Sequence, residues 1–448
     1  MVFYMSSYID YANKIVRSIA GEGFDEVAIL IRDYRRVMAK IANSEPSVVQ
    51  RWSSFDVSLY LSRNRRIMGL ELHPKSIDDV MKPIERLIEI ADKISESPLY
   101  APLPRPSKIS FIGDTFDSSI INYMDNISRL TEIVIEVSHR EKIDSVAGVI
   151  QLGYIDELLA TSTDVVLSEK KTFLQSSIRA FSEPDGSGQW SFTSTKIDID
   201  GLIQTASIAS RYAVDSKNRR NIEPGIYNVI LSPMVFGNLL DYIVNMATGF
   251  SILFGTSIFM KNRVGDKVAS DKLSVYDCPR DSSLPGARSF DHEGLETFNK
   301  PIIENGVLKN ILHNTKTARA LNAISTANAG WISPTPWNIY VAPGDIKIDD
   351  MIRDIGRGIL ITNNWYTRLQ NYVEGIFSTI ARDAIFYIEN GNLIPITKIR
   401  IADTFPRILN NIEMIGKELY NIQWWEVETP SRLPYVAIKD VHISKHII

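Results

Sequence analysis

Four prolines, Pro98, Pro102, Pro104 and Pro106, fall between Ser97 and Ser107. Proline has no backbone N–H to give to a helix, and its ring clashes with the carbonyl four residues back. This density therefore forbids a helix and marks a stiff, extended connection. With 448 residues the chain has room for two or three domains of about 150 residues each. The expected division is an N-terminal α/β region over 1–97, a Pro-rich linker over 98–108, a middle α/β region over 109–222 and a β-rich region over 223–448.

Periodicity fills in these regions. Ile9, Ala12, Ile15, Val16 and Ile19 recur at helical spacing before Gly21, which predicts a helix over 6–21. Glu26–Arg32, Arg36–Ala42 and Val57–Ser62 read as strands, and 76–95 as a helix with Ile77, Val80, Ile84 and Leu87 on one stripe. Residues 117–139 predict a helix running into a strand at Glu132–Val137. Residues 145–182 alternate like antiparallel strands, 183–189 form a turn, and 198–214 a helix. Beyond Pro224-Gly225, strands are punctuated by turn residues. Asn305-Gly306 and Asn390-Gly391 are hairpin signals, because both residues of a tight hairpin turn need positive φ. A helix is expected over 403–418 and a closing strand over 433–443. The fold class is α+β: helix-and-sheet regions first, then a mostly antiparallel β domain.

Composition removes some functions. The net charge of −4 offers no basic excess for nucleic acid. No apolar run approaches the roughly 20 residues of a membrane helix. The N-terminus lacks the basic and apolar regions of a secretory signal, and the one cysteine, Cys278, allows no internal disulfide. A cytoplasmic protein with neither nucleic acid nor membrane as partner is expected.

One helix stands out. Ser232 is a good N-cap, Pro233 suits the first helical position, and Gly249 suits the stop. Val235, Phe236, Leu239, Leu240, Ile243, Val244 and Ala247 form a broad apolar stripe. Asn238, Asp241, Tyr242 and Asn245 lie opposite. Downstream come Gly255-Thr256-Ser257, Arg263–Ser270, Phe290-Asp291-His292-Glu293-Gly294, Ile303–Lys309, Gly358–Thr362, Glu374–Ser378 and Ile388–Gly391. In this order the segments resemble the TldD/PmbA family of peptidases and peptidase-like subunits.

The resemblance carries expectations. Active TldD-type members place H-E-x-x-x-H on this helix and a cysteine shortly before the closing strand. The helix positions correspond here to Asp241, Tyr242 and Met246, and the cysteine region to Trp424–Pro430. None of these residues is His or Cys, a departure typical of the PmbA (TldE) branch. The resemblance thus implies a degenerate metal site, with no catalytic residues and no metal or other cofactor in this chain. Zinc is expected in a TldD-like partner. The implied role is a zinc-free subunit of an assembly that degrades or trims unfolded peptides, forming a homodimer when alone. Asp241, Tyr242, Asn245, His292 and Glu293 are the expected cleft residues. Two alternatives stand beside it: an independent metallopeptidase using ligands such as Asp241 with His292 or Glu293, and a non-enzymatic homodimeric binding or regulatory protein.

The other candidates carry less. Asp291-His292-Glu293 are adjacent, so on a strand they would not share an ion. His442 and His446 have helical ligand spacing inside a strand-like run. His73, His139 and His313 are isolated. Cys278 reads as a small buried residue.

Overall fold

The computed structural model describes residues 5–76 and 78–445, with side chains from residue 8 onward. Ile77 and His446 lie outside the described residues. The chain begins with helix α1 (Met5–Gly21), then strands β1 (Glu26–Ala42), β2 (Glu45–Arg63) and β3 (Arg66–Leu72). Helices α2 (Asp78–Ala91), α3 (Ser118–Asp125) and α4 (Ser128–Ser138) follow. Strands β4 (Ser145–Thr161), β5 (Val166–Ser182) and β6 (Gly186–Ser194) and helix α5 (Ile199–Asp215) complete the first half. The six strands form one sheet in the order β3-β2-β1-β4-β5-β6.

Alternation along β1 explains how this sheet is covered. Val27, Ile29 and Ile31 pack with Ala12, Ile15 and Ile19 of α1 and with Val80 and Ile84 of α2. Val37, Ala39 and Ile41 share that face, since the side-chain period is two, and pack with helices α3, α4 and α5 through Ile120, Val134 and Ala206. The opposite face receives Leu103 against Ala28 and Tyr60, and Phe290 against Leu30 and Leu159.

This arrangement corrects the reading of 98–108 as a linker between separate regions. Strands β1 and β4 lie on either side of it, yet pair over 28–41 and 148–161. The proline segment lies on the sheet: Leu103 N donates to Glu26 Oε1 at 2.7 Å and Thr163 Oγ1 to the Pro104 carbonyl at 2.7 Å. A second correction concerns Glu132–Val137, which is helical within α4. Its buried residues Leu130, Thr131, Val134 and Val137 recur at helical spacing, and packing on the sheet overrides the β-branched composition.

The second half contains β7 (Gly225–Leu231), α6 (Pro233–Met246), α7 (Gly249–Leu253), β8 (Val275–Asp277), β9 (Lys300–Glu304), β10 (Val307–Leu308), α8 (Thr315–Ala320), β11 (Ile339–Val341) and α9 (Ile348–Asp354). Then come β12 (Arg357–Asn371), β13 (Ile376–Glu389), β14 (Asn392–Pro395), β15 (Ile399–Thr404), α10 (Phe405–Asn410), β16 (Ile412–Ile415), β17 (Tyr420–Trp424), β18 (Val427–Leu433) and β19 (Val436–Lys445). One sheet runs β10-β9-β8-β11-β18-β17. The other runs β12-β7-β19-β15-β13-β14, and pairing of β12 with β13 closes it on itself. All pairings are antiparallel except β7–β12 and β11–β18. The two Asn-Gly turns have positive φ at both residues, as their hairpins require. The helix expected over 403–418 is shorter: α10 stops at Asn410, and Ile412–Ile415 pairs with β19. No helix among the described residues is long and apolar enough to cross a membrane.

Candidate functional site

Helix α6 leads out of β7 across the closed sheet. Ser232 caps it, accepting from Val235 N while its hydroxyl donates to the Thr362 carbonyl at 2.7 Å. Val235, Phe236, Leu239, Leu240, Ile243 and Val244 enter the core of that sheet. Gly237 lets the helix sit close to β18, because a Cβ there would lie 2.7 Å from Leu433 Cδ1. The helix ends at Met246, three residues before the expected stop. Gly249 instead opens α7, where Thr248 is the cap, and a Cβ on it would meet His313 Nδ1 at 2.4 Å.

The opposite side of α6 faces open space. Asp241, Tyr242, Asn245 and Met246 line a cleft of about 330 Å³ together with Asn238, Thr256, Tyr372, Trp425, Glu426 and Glu428. Asp241, Asn245 and Glu428 also line an adjoining cleft of about 490 Å³, whose other walls include Trp337, Pro430 and, from the N-terminal sheet, Tyr34, Phe173 and Gln175. Together they form one path running along α6 and onto the first half of the molecule.

Hydrogen bonds fix the wall opposite α6. Asp241 Oδ1 accepts from Thr429 Oγ1 at 2.6 Å and Oδ2 from Glu428 N at 3.1 Å. Asn238 donates to the Glu426 carbonyl at 2.7 Å and accepts from Asn364 and Thr367, at 2.7 and 2.6 Å. The turn between β17 and β18 is thereby held against the helix. Burial pushes the Asp241 carboxyl up, the Thr429 hydroxyl opposes this and Glu428 adds to the rise. Burial also raises Glu426 and Tyr242. The Tyr242 hydroxyl points at the Thr367 carbonyl, 3.4 Å away.

His292 and Glu293 are elsewhere, beneath the N-terminal sheet. His292 is buried, with Nε2 3.6 Å from Glu157 Oε1 and its ring against Trp337. Burial lowers its pKa to about 4. Glu293 forms a buried 2.6 Å pair with Lys316 and accepts from Thr315 N at 2.9 Å. Asp291 accepts from the backbone N–H groups of Glu293, Leu295 and Ala329. These residues knit a buried loop; neither of the two cleft linings contains them.

The remaining candidates have structural surroundings. Cys278 is half-buried, not buried, and burial first, then Asp277 and Asp281, push its thiol up to about 12. His442 Nδ1 lies 3.0 Å from Asp403 Oδ2. Among the described residues no three His, Cys, Asp or Glu side chains gather as a metal would require. Sequence periodicity did not single out Trp425, Glu426, Glu428, Tyr372, Trp337, Tyr34 or Phe173. Trp425 and Glu426 form the two-residue turn between β17 and β18: the paired Trp424 and Val427 are buried while Trp425 is 70% exposed.

Comparisons agree with this architecture. Residues 224–445 match the family described as PmbA/TldA metallopeptidase C-terminal domain. A metalloprotease of Methanocaldococcus jannaschii is 28% identical over 204 residues, 44% of this chain and 45% of that protein. Metalloprotease PmbA of Escherichia coli O157:H7 is 26% identical over 219 residues, 47% of each. The chain therefore spans under half the length of these curated relatives. The crystal structure of TldE from Thermococcus kodakarensis has the same fold, with a TM-score of 0.87 and 18% identity, covering 97% of this chain and all of that one.

Proposed function

We propose that this chain, which belongs to the TldD/PmbA family, is a zinc-free, peptidase-like subunit that holds extended peptide for a TldD-like zinc peptidase. The observation that carries the reading is the path along α6. The positions where the family resemblance expects two histidines and a glutamate hold Asp241, Tyr242 and Met246, all lining an open cleft. An aspartate engaged by Thr429 and Glu428, a phenol raised by burial and a thioether make a surface suited to contact, not to activating water. The path is open and lined by polar and apolar side chains alike, in keeping with binding an extended chain rather than one side chain. Self-association in the absence of the partner completes the proposal. We place the assembly in the cytoplasm, in keeping with a chain holding one cysteine.

The test uses a fluorescent unfolded peptide and a TldD-like chain with intact H-E-x-x-x-H. The expected result is that this chain binds peptide but leaves it intact, with or without added zinc, and that cleavage appears or rises when the two chains are mixed. Metal-dependent cleavage by this chain alone would show an independent peptidase. Neither peptide binding nor complex formation would leave the regulatory reading.

A further inference from the structure

The path along α6 does not stop at the second cleft. Two of that cleft's walls, Tyr34 and Phe173, begin a stripe across the N-terminal sheet, on the same face that packs against Phe290 but further along β1. Phe173 on β5 reaches over β4 because Gly153 has no side chain; a Cβ there would lie 2.6 Å from Phe173 Cζ. Its ring stacks on Tyr34 of β1, with centroids 6.0 Å apart and planes within 8°. Arg36, two residues along the same face of β1, lies 5.9 Å from the Tyr34 ring and 4.3 Å over the Trp52 ring of β2. Strands are spaced about 4.8 Å apart, so the stripe from β5 to β2 spans roughly 14 Å, several residues of extended peptide.

Arg36 is unusual in this stripe. Its Nε is buried and makes no hydrogen bond, although the Tyr34 hydroxyl lies beside the guanidinium. No carboxylate among the described residues pairs with it. Its cross-strand partners are Trp52 and Gly153, and the next positions on that face pair Met38 with Gln50 and Gln151. A guanidinium lying over one aromatic ring and beside a second, with a buried Nε that makes no hydrogen bond and no carboxylate partner among the described residues, suits a carboxylate.

We propose that the peptide path continues over Phe173 and Tyr34 and ends at Arg36, which takes a carboxylate of the bound peptide. This rests on the peptide-holding reading above and adds the chemical class and the residue. The carboxylate can come from the peptide's C-terminus or from an acidic side chain.

Fluorescence anisotropy on the full chain tests this with three labelled unfolded peptides. The first has a free C-terminus and no acidic residue, the second is its C-terminal amide, and the third is an amidated version with one glutamate. In the native chain a free carboxylate should raise affinity about tenfold over the amide, and the arm that shows the gain names its source. Arg36→Met keeps an apolar stem beside the Trp52 ring and removes the charge, so it should erase that gain and bring the carboxylate-bearing peptides to the amide's affinity. Arg36→Lys should keep part of it, and serves if the methionine variant does not fold. Equal weakening for all three peptides, or no change, would overturn the Arg36 subsite while leaving peptide holding intact. Failure of the native chain to bind any peptide would overturn both.

Discussion

Asp241 on α6 accepts a 2.6 Å hydrogen bond from the hydroxyl of Thr429 on β18, 188 positions further along the chain. With the 3.1 Å bond from Glu428 N, it joins the helix to the strand across the cleft. The residue expected from the resemblance to stand at a lost metal position is thus the tie that holds one wall of the cleft.

Replacing it should loosen that wall. Asp241→Ala leaves a hydroxyl and a backbone N–H without their acceptor, at a cost of about 1–3 kcal/mol. Denaturant unfolding should report that loss, and peptide affinity should fall with it. Unchanged stability together with unchanged peptide binding would show that the tie is not formed in solution.

Glu293 should behave differently. It is 3% exposed and paired with Lys316, itself 5% exposed. Removing one member of a buried pair strands the other, typically at about 3–5 kcal/mol. Glu293→Ala and Lys316→Met should each be strongly destabilising, and Glu293→Leu with Lys316→Met should recover most of the loss. Peptide affinity of any folded variant should match the native chain, because Glu293 lies away from both clefts. A stable Glu293→Ala chain with weakened peptide binding would return this residue to the cleft.

Acid should act through His313. Burial lowers its pKa from an ordinary 6.5 to about 4. The unfolded chain therefore binds a proton between pH 6.5 and 4 that the folded chain does not. This contribution to stability is present above pH 6.5 and is lost as pH falls toward 4. Comparing urea unfolding of the native chain and His313→Asn at pH 7.5, 6.5, 5.5 and 4.5 isolates it from the carboxylates. The native chain's advantage should be constant between pH 7.5 and 6.5 and shrink below. An advantage independent of pH would mean that the ring is protonated as readily folded as unfolded.

Much of the fold could be read from the chain, and the reasons are local. Asn305-Gly306 and Asn390-Gly391 carry their turn geometry in two residues. The stripe of α1 and the cap of α6 are likewise short-range. What escaped was set by distant packing. Ile133-Val134-Ile135 has strand composition, yet it lies on α4 because that helix buries Leu130 and Val134 against the sheet. The polar side of α6 was visible from its spacing. Tyr34, Phe173 and Trp337 were not, because they reach the same cleft from strands and loops far apart in sequence. His292 and Glu293 were expected to line the cleft, but their loop packs on the N-terminal sheet, away from both cleft linings.

The correspondence that the resemblance implies between α6 and the family's metal helix can be tested by building the site. The native chain should carry no stoichiometric zinc by elemental analysis; about one tightly held zinc per chain would sink the zinc-free reading at the outset. Asp241→His, Tyr242→Glu and Met246→His then restore the helix motif at positions that share one cleft. A further cysteine near Val427 is needed. Val427 itself is fully buried against α6, whereas Glu428 lines the cleft and its N–H already touches Asp241, so Glu428→Cys is the better position. Zinc needs three or four ligands at about 2.0–2.3 Å, so the helix changes alone should bind weakly and the full set more tightly. Peptidase activity need not follow, since residues that orient metal ligands are not supplied by these changes. Metal affinity is the fair readout. A folded quadruple variant that binds zinc no better than the native chain would break the correspondence between α6 and the metal helix of active relatives, and with it the main support for a subunit that lost its zinc.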